Sequence, residues 1–246
     1  MFDAIVNKRI DIAPFEFDVR YLDIEQLNAE VLRGGPAISK ISYAVLPAIA
    51  DRYRVLDSGS ALGRGNGPLL VSKGEVDMSN SELKVAVPGM YTTANALMSR
   101  LFPQIVHKVP MLFSDIAEAV ANGVVDAGVL IHEGRFTYAA RGLRLVADLG
   151  VEWEKCTGCP LPLGAIVADR SLPVEVFSAF EGLLRRSIEY AFANPMASRE
   201  YVKAHARELA DDVIESHINL FVNDFSLSLG SEGRSAVTEL TGLYEF

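Results

Sequence analysis

The sequence predicts an α/β protein of two lobes with a ligand cleft between them. Three observations carry this. Strand-like and helix-like segments alternate through the first 150 residues. A polar, turn-like stretch at 76–83 separates two such series. A late strand-like segment, LGAIVADRS, then precedes a run of helices to the end. Alternation of this kind marks a sheet covered by helices. A chain that leaves one lobe, builds another and returns makes a hinged pair.

The elements follow in order. Residues 2–9 read as the end of a short helix, and Phe15 to Tyr21 as extended chain. Asp23 is placed to cap a helix over Ile24 to Leu32, with Ile24, Leu27 and Val31 at helical spacing and Gly34 and Gly35 as its stop. ISKIS (38–42) alternates as a strand does. Tyr43 to Tyr53 reads as a helix whose regular part begins near Pro47, and YRVLDSG is again a strand. This first series predicts a parallel sheet. The glycine-rich DSGSALGRGNGP lacks the Gly-Lys-Ser/Thr of a phosphate loop and leads into the strand-like PLLVSKG rather than a helix. It reads as a tight loop passing near a ligand or another backbone.

The second series begins at LKVAVPG. Thr92 or Thr93 caps a helix over Ala94 to Leu101, and 105–112 is extended. Ser114 or Asp115 caps a helix that Gly123 ends, with Glu118 completing a capping box on Asp115. VVDAGVLI is a buried strand by its apolar run, and LRLVADLG closes the series. GVEWEKCTGCPLP reads as turn-rich, LGAIVADRS as the return strand, and helices are expected over Val174 to Phe192, Pro195 to Ala206, Ala210 to Phe225 and Ser235 to Tyr244. The expected lobes are 1–83 with 161–246, and 84–160.

Composition narrows the function. The 246 residues carry a formal net charge of -9 and no basic stripe, which argues against nucleic acid. No apolar run of membrane-spanning length occurs, nor a long apolar stretch near residue 1, so a cytoplasmic protein is expected. Cys156 and Cys159 form a CxxC pair with no second Cys or His pair to complete a zinc site, and read as two ordinary loop thiols. No GxSxG elbow occurs.

Ligands of open α/β sheets bind beyond the carboxyl ends of the strands. Three places qualify. Lys40 and Ser42 lie in the first strand, where Lys40 also suits the solvent face of an edge strand and Ser42 a helix cap. Thr92 and Thr93 open a helix, whose free N–H groups suit an anion, although threonine is also a common cap. His132 ends the most apolar strand, where an imidazole can serve as a base or as a packing residue. Glu133 and Arg135 beside it carry no assigned role. No second histidine stands at metal-ligand spacing, so no metal is expected.

The stretches LDIEQLN, KISYA, SGSALGRGNGPLLV, VAVPGMYTTA, IHEGRFTY, TGCPLPLGAI and NDFSLSLG occur in the order found in the 1,4-dihydroxy-6-naphthoate synthases, and the sequence resembles that family over nearly its whole length. The resemblance implies a periplasmic-binding-protein (type II) clamshell used as an enzyme. It implies a lyase of the futalosine route to menaquinone that takes cyclic dehypoxanthinyl futalosine, a carboxylated small molecule, to the naphthoate. The implied reaction is a base-initiated C–C cleavage without cofactor. It places the base at His132 and substrate contacts at Lys40 to Ser42 and Thr92 to Ala94. Family members also have a strand and a loop resembling SPCPNDTF ahead of the position of Phe2. This sequence is therefore expected either to begin late or to form a sheet short of one strand. A solute-binding protein and the related chorismate dehydratase share the fold; HEGRFTY favours the synthase over both.

Overall fold

A computed structural model describes residues 1–132, 134–205, 214–215, 218 and 220–246. Among the described residues nine strands form two sheets: β1 (Ile38–Ser42), β2 (Tyr53–Val55), β3 (Ala61–Gly63), β4 (Leu69–Ser72), β5 (Val85–Val87), β6 (Lys108–Pro110), β7 (Ala127–Leu130), β8 (Arg144–Asp148) and β9 (Leu161–Asp169). The second sheet runs β6-β5-β7-β4-β8. Its β5 is parallel to β6 and β7, and its β4 is antiparallel to β7 and β8. β4, expected within 1–83, hydrogen-bonds into this second sheet.

The first sheet is not the parallel sheet that its local pattern suggests. β9 runs through it antiparallel to every other member. β1 lies along one edge of β9, and β2 and β3 lie in tandem along the other. Local strand order is legible in sequence, but the direction of pairing is not when the partner arrives a hundred residues later. β3 itself was read only as part of a loop.

Capping decides the helices. Asp23 accepts from the N–H of Glu25 (2.9 Å) and of Gln26 (3.1 Å). The Gln26 side chain returns to the Asp23 N–H, and Gly34 at φ +74 ends the helix Ile24–Arg33. Helix Phe113–Ala121 starts one turn before the proposed Asp115 cap, at Leu112, without a side-chain cap. Ser114 bonds Asp115 instead. The stretch expected to be turn-rich contains a helix, Leu149–Thr157. Asp148 caps it on Gly150 N–H (3.0 Å) and Val151 N–H (3.2 Å), Leu149 and Trp153 are buried one turn apart, and Gly158 at φ +71 stops it. Its two apolar anchors were outweighed by the following CTGCPLP. The terminal helix runs Gly230–Thr241, earlier than expected. Parts of the helices expected over Pro195 to Ala206 and Ala210 to Phe225 lie outside the described residues, as do Glu133 and His217.

Each sheet is packed on both faces. Ile41, Tyr43, Leu46, Tyr53 and Leu62 centre one side of the first sheet, and Leu56, Ile166, Phe180 and Leu184 the other. Leu70, Val85, Leu97 and Trp153 fill one side of the second sheet, and Val71, Ile116 and Leu130 the other. Leu240 of the terminal helix packs against a cluster of each sheet, and Arg100 pairs with Glu239 beside it (2.6 Å).

The crossing between β3 and β4 lies tightly against the helix Leu149–Thr157. The Leu149 N–H donates to Pro68 O (2.9 Å). A Cβ on Gly67 would stand 2.6 Å from Gly150 Cα, and one on Gly150 would stand 2.3 Å from Asn66 O. Both neighbours are backbone, so neither can swing aside. Gly150→Ala is expected to destabilise the fold by about 1–3 kcal/mol, read as a lowered urea midpoint; an unchanged midpoint would show that the crossing is looser than this contact.

Candidate active site

The carboxyl ends of β1 and β7, the start of helix Thr93–Leu101 and the first half of β9 converge on one cleft between the sheets. It encloses about 760 Å³, counting the part open to solvent, ample for a small organic ligand. Lys40, Ile41, Ser42, Thr92, Thr93, Ala94 and His132 all line it. Its other walls are mostly apolar, with Ile24, Pro68, Ile131, Leu163 and Phe221 among them. The last two were not singled out in the sequence, because nothing local places a mid-strand leucine or a helical phenylalanine at a cleft.

Lys40 points from the exposed position of β1 into the cleft. Among the described residues no hydrogen bond or ion pair reaches its ammonium. The surrounding cleft walls desolvate it and hold its pKa below the ordinary lysine value. A folded state that releases this proton early binds fewer protons than the unfolded chain, in the interval from the lowered value up to the ordinary one. Stability therefore rises with pH across that interval. Lys40→Met is expected to raise Tm at neutral pH by a few degrees, about 1 kcal/mol after allowance for screening by cleft water, and the gain should shrink in alkaline buffer. Thermal melts at both pH values check it; a lower Tm for the variant at neutral pH would contradict it.

Ser42 is held by Asn28, which is fully buried. The Asn28 carboxamide accepts from Ser42 N–H (2.8 Å) and donates to Ser42 Oγ (3.0 Å). The hydroxyl proton of Ser42 is thus left to point at a ligand. The same carboxamide donates to Tyr91 O (3.3 Å), tying the first lobe to the loop before Thr92.

The two threonines divide their duties. Thr92 Oγ accepts from Asn95 N–H (3.2 Å) and donates to Gly89 O (2.8 Å), which is capping. Thr93 Oγ donates to Leu163 O (2.8 Å) and accepts from Ala44 N–H (3.4 Å), bridging the lobes. Both hydroxyls are therefore spent on the protein. What the turn offers an anion is the backbone N–H of Thr93 and Ala94 at the positive end of the helix.

His132 follows β7 with φ +52, a left-handed backbone uncommon outside glycine. Its half-buried ring meets Phe113 edge-on, centroids 5.1 Å apart. Phe113, a neighbour that the sequence did not reveal, opens the helix beside β7. Arg135, one turn on, also lines the cleft. The remaining described histidines lie elsewhere: His107 is exposed near Glu82, and His205 stacks with Tyr21 and Tyr201. Cys156 is exposed and Cys159 half-buried; both are free thiols, and neither lines the cleft. Among the described residues no cluster of His, Cys, Asp or Glu is arranged to hold a metal.

Comparison with known proteins agrees with the geometry. A family model described as menaquinone biosynthesis matches residues 1–245. The chain is 45% identical over 240 residues to a 1,4-dihydroxy-6-naphthoate synthase of Thermus thermophilus, covering 98% of this chain and 87% of that one. It is 42% identical to a synthase of the same name from Streptomyces coelicolor, covering 98% and 86%. A crystal structure of an Archaeoglobus fulgidus protein superposes with a TM-score of 0.92 at 35% identity, over 98% of this chain and 90% of that one. The ligand-binding component of an ABC-type importer from Staphylococcus aureus superposes with a TM-score of 0.66 at 11% identity, over 93% and 82%, a likeness of fold alone.

Proposed function

The chain belongs to the menaquinone-biosynthesis family that contains the 1,4-dihydroxy-6-naphthoate synthases, and from that premise we propose that its cleft binds cyclic dehypoxanthinyl futalosine and cleaves it with His132 as general base. The enzyme acts in menaquinone biosynthesis as a lyase. The observation that carries the reading of the site is the convergence of one unpaired ammonium, one free hydroxyl proton, a helix N-terminus and one imidazole on a cleft with apolar walls.

Each part has a use. The aromatic body of the substrate fits the apolar walls formed by Ile24, Ile41, Leu163 and Phe221. Its carboxylate is met by Lys40, Ser42 Oγ–H and the N–H groups of Thr93 and Ala94, which are charge-assisted donors. With the lobes closed and water excluded, His132 removes a proton from a hydroxyl of the sugar part. The O–H electron pair becomes a carbonyl as the C–C bond breaks, and the bonding pair passes into the ring system. Aromatisation to the naphthoate drives the step. These residues need neither a metal nor an organic cofactor for that chemistry.

We place the lobe divisions near the two crossings, with the C-terminal helices on the first lobe, and the protein in the cytoplasm. Among the described residues no helix is long and apolar enough to cross a membrane. The test is turnover. Purified protein incubated with cyclic dehypoxanthinyl futalosine is expected to release 1,4-dihydroxy-6-naphthoate, followed by chromatography; tight binding of substrate without product would instead favour a binding protein.

A further inference from the structure

The turn that carries His132 is held in an unfavourable backbone shape. A left-handed conformation is unfavourable for a non-glycine residue, so it persists only where its surroundings over-determine it. The turn closes on itself through Gly134 N–H to Ile131 O (3.1 Å). On one side the Phe113 ring abuts the imidazole. On the other side the side chain of Arg135 leaves the turn and is spent on the protein. Its Nη1 donates to Gly67 O in the crossing (2.6 Å), and its Nη2 bonds the carboxylate of Asp148. The second oxygen of Asp148 is fixed by the N–H groups of Gly150 and Val151. Only 18% of the Arg135 side chain and 13% of that of Asp148 are exposed. Burial pushes the Asp148 carboxyl up, against the pull of Arg135.

We propose that the Arg135–Asp148 pair is a positioning device for His132, locking its turn to the crossing and to the helix Leu149–Thr157. This rests on the reading of His132 as the base. Both Arg135 donor nitrogens that reach partners are committed to protein groups, which suits positioning rather than ligand binding. The pair also links the site to the segment that joins the lobes.

Asp148→Asn tests it, because the amide oxygen can still cap Gly150 and Val151 while the charge that holds Arg135 is gone. Arg135→Lys keeps the charge and loses the fork. Turnover and the histidine ring resonances are measured together, the latter by proton–carbon NMR with His132→Ala for assignment. Asp148→Asn is expected to lower kcat about 10- to 100-fold through misplacement of the base, with KM within about twofold. The His132 signal, displaced by the ring current of Phe113, should move. Arg135→Lys should recover part of both. An unmoved resonance, an unchanged kcat, or a raised KM at unchanged kcat overturns the proposal; the last result would put Arg135 on the substrate. If circular dichroism shows both variants unfolded, the pair is merely structural and the proposal also fails. Retained turnover in His132→Ala would sink the assignment of the base alone, since the resonance decides the positioning separately.

Discussion

Replacing His132 with asparagine is expected to lower kcat by about 10²–10⁴-fold, the usual contribution of a general base, with little change in KM. Asparagine is the informative choice. It tolerates the left-handed backbone at this position (φ +52) better than most residues, and it keeps a planar polar group beside Phe113. What it lacks is a nitrogen able to take a proton. The cleft and the Thr92–Ala94 turn should therefore stay intact, and substrate affinity, measured by calorimetry, should hold while single-turnover product formation collapses. A kcat within tenfold of the parent would place the base elsewhere.

Lys40→Met is the second large effect, and it falls on binding. The ammonium stands in the cleft, desolvated in part by its walls, without a partner among the described residues. A ligand carboxylate then collects most of the benefit of pairing. A hydrogen bond to a charged group is worth about 1.5–3 kcal/mol, so the variant should bind substrate or product about 10- to 100-fold more weakly. An analogue without the carboxylate provides the control: it should bind parent and variant alike. Equal loss for both ligands would mean that Lys40 shapes the cleft rather than reading the carboxylate.

Much of this was legible before any coordinates. His132 and the Thr92–Ala94 turn stand out because they follow strongly apolar strands, and in an α/β sheet the strand ends face the ligand. The cap at Asp23 could be read from its place just before helical spacing begins, whereas the box it completes with Gln26 was not read and the one expected on Asp115 does not form. The parts that stayed hidden depend on long-range pairing or on competing local signals. Nothing near Ile38–Ser42 announces that its neighbour is Leu161–Asp169. Asn28, which aims Ser42, looks like an ordinary helix residue until the strand lies under it. Lys40 read more readily as a solvent-facing edge residue; the opposing lobe turns that face into a cleft wall. The helix Leu149–Thr157 was masked by the Cys, Gly and Pro just after it, although Asp148 at its head is a good cap.

The arrangement of the first sheet has a consequence for how the chain acquires its shape during synthesis. Among the described residues β1, β2 and β3 do not pair with one another; the strand that each pairs with is β9. The strands of the second sheet, by contrast, all lie between residues 69 and 148. A growing chain can thus complete the later sheet from contiguous sequence while the earlier strands wait without partners. They are gathered only when residues 161–169 leave the ribosome, and the terminal helix with Leu240 then seals both halves. The strands between residues 38 and 63 are thus made first and are expected to pair last, leaving an interval of exposed, unpaired strand in each round of translation.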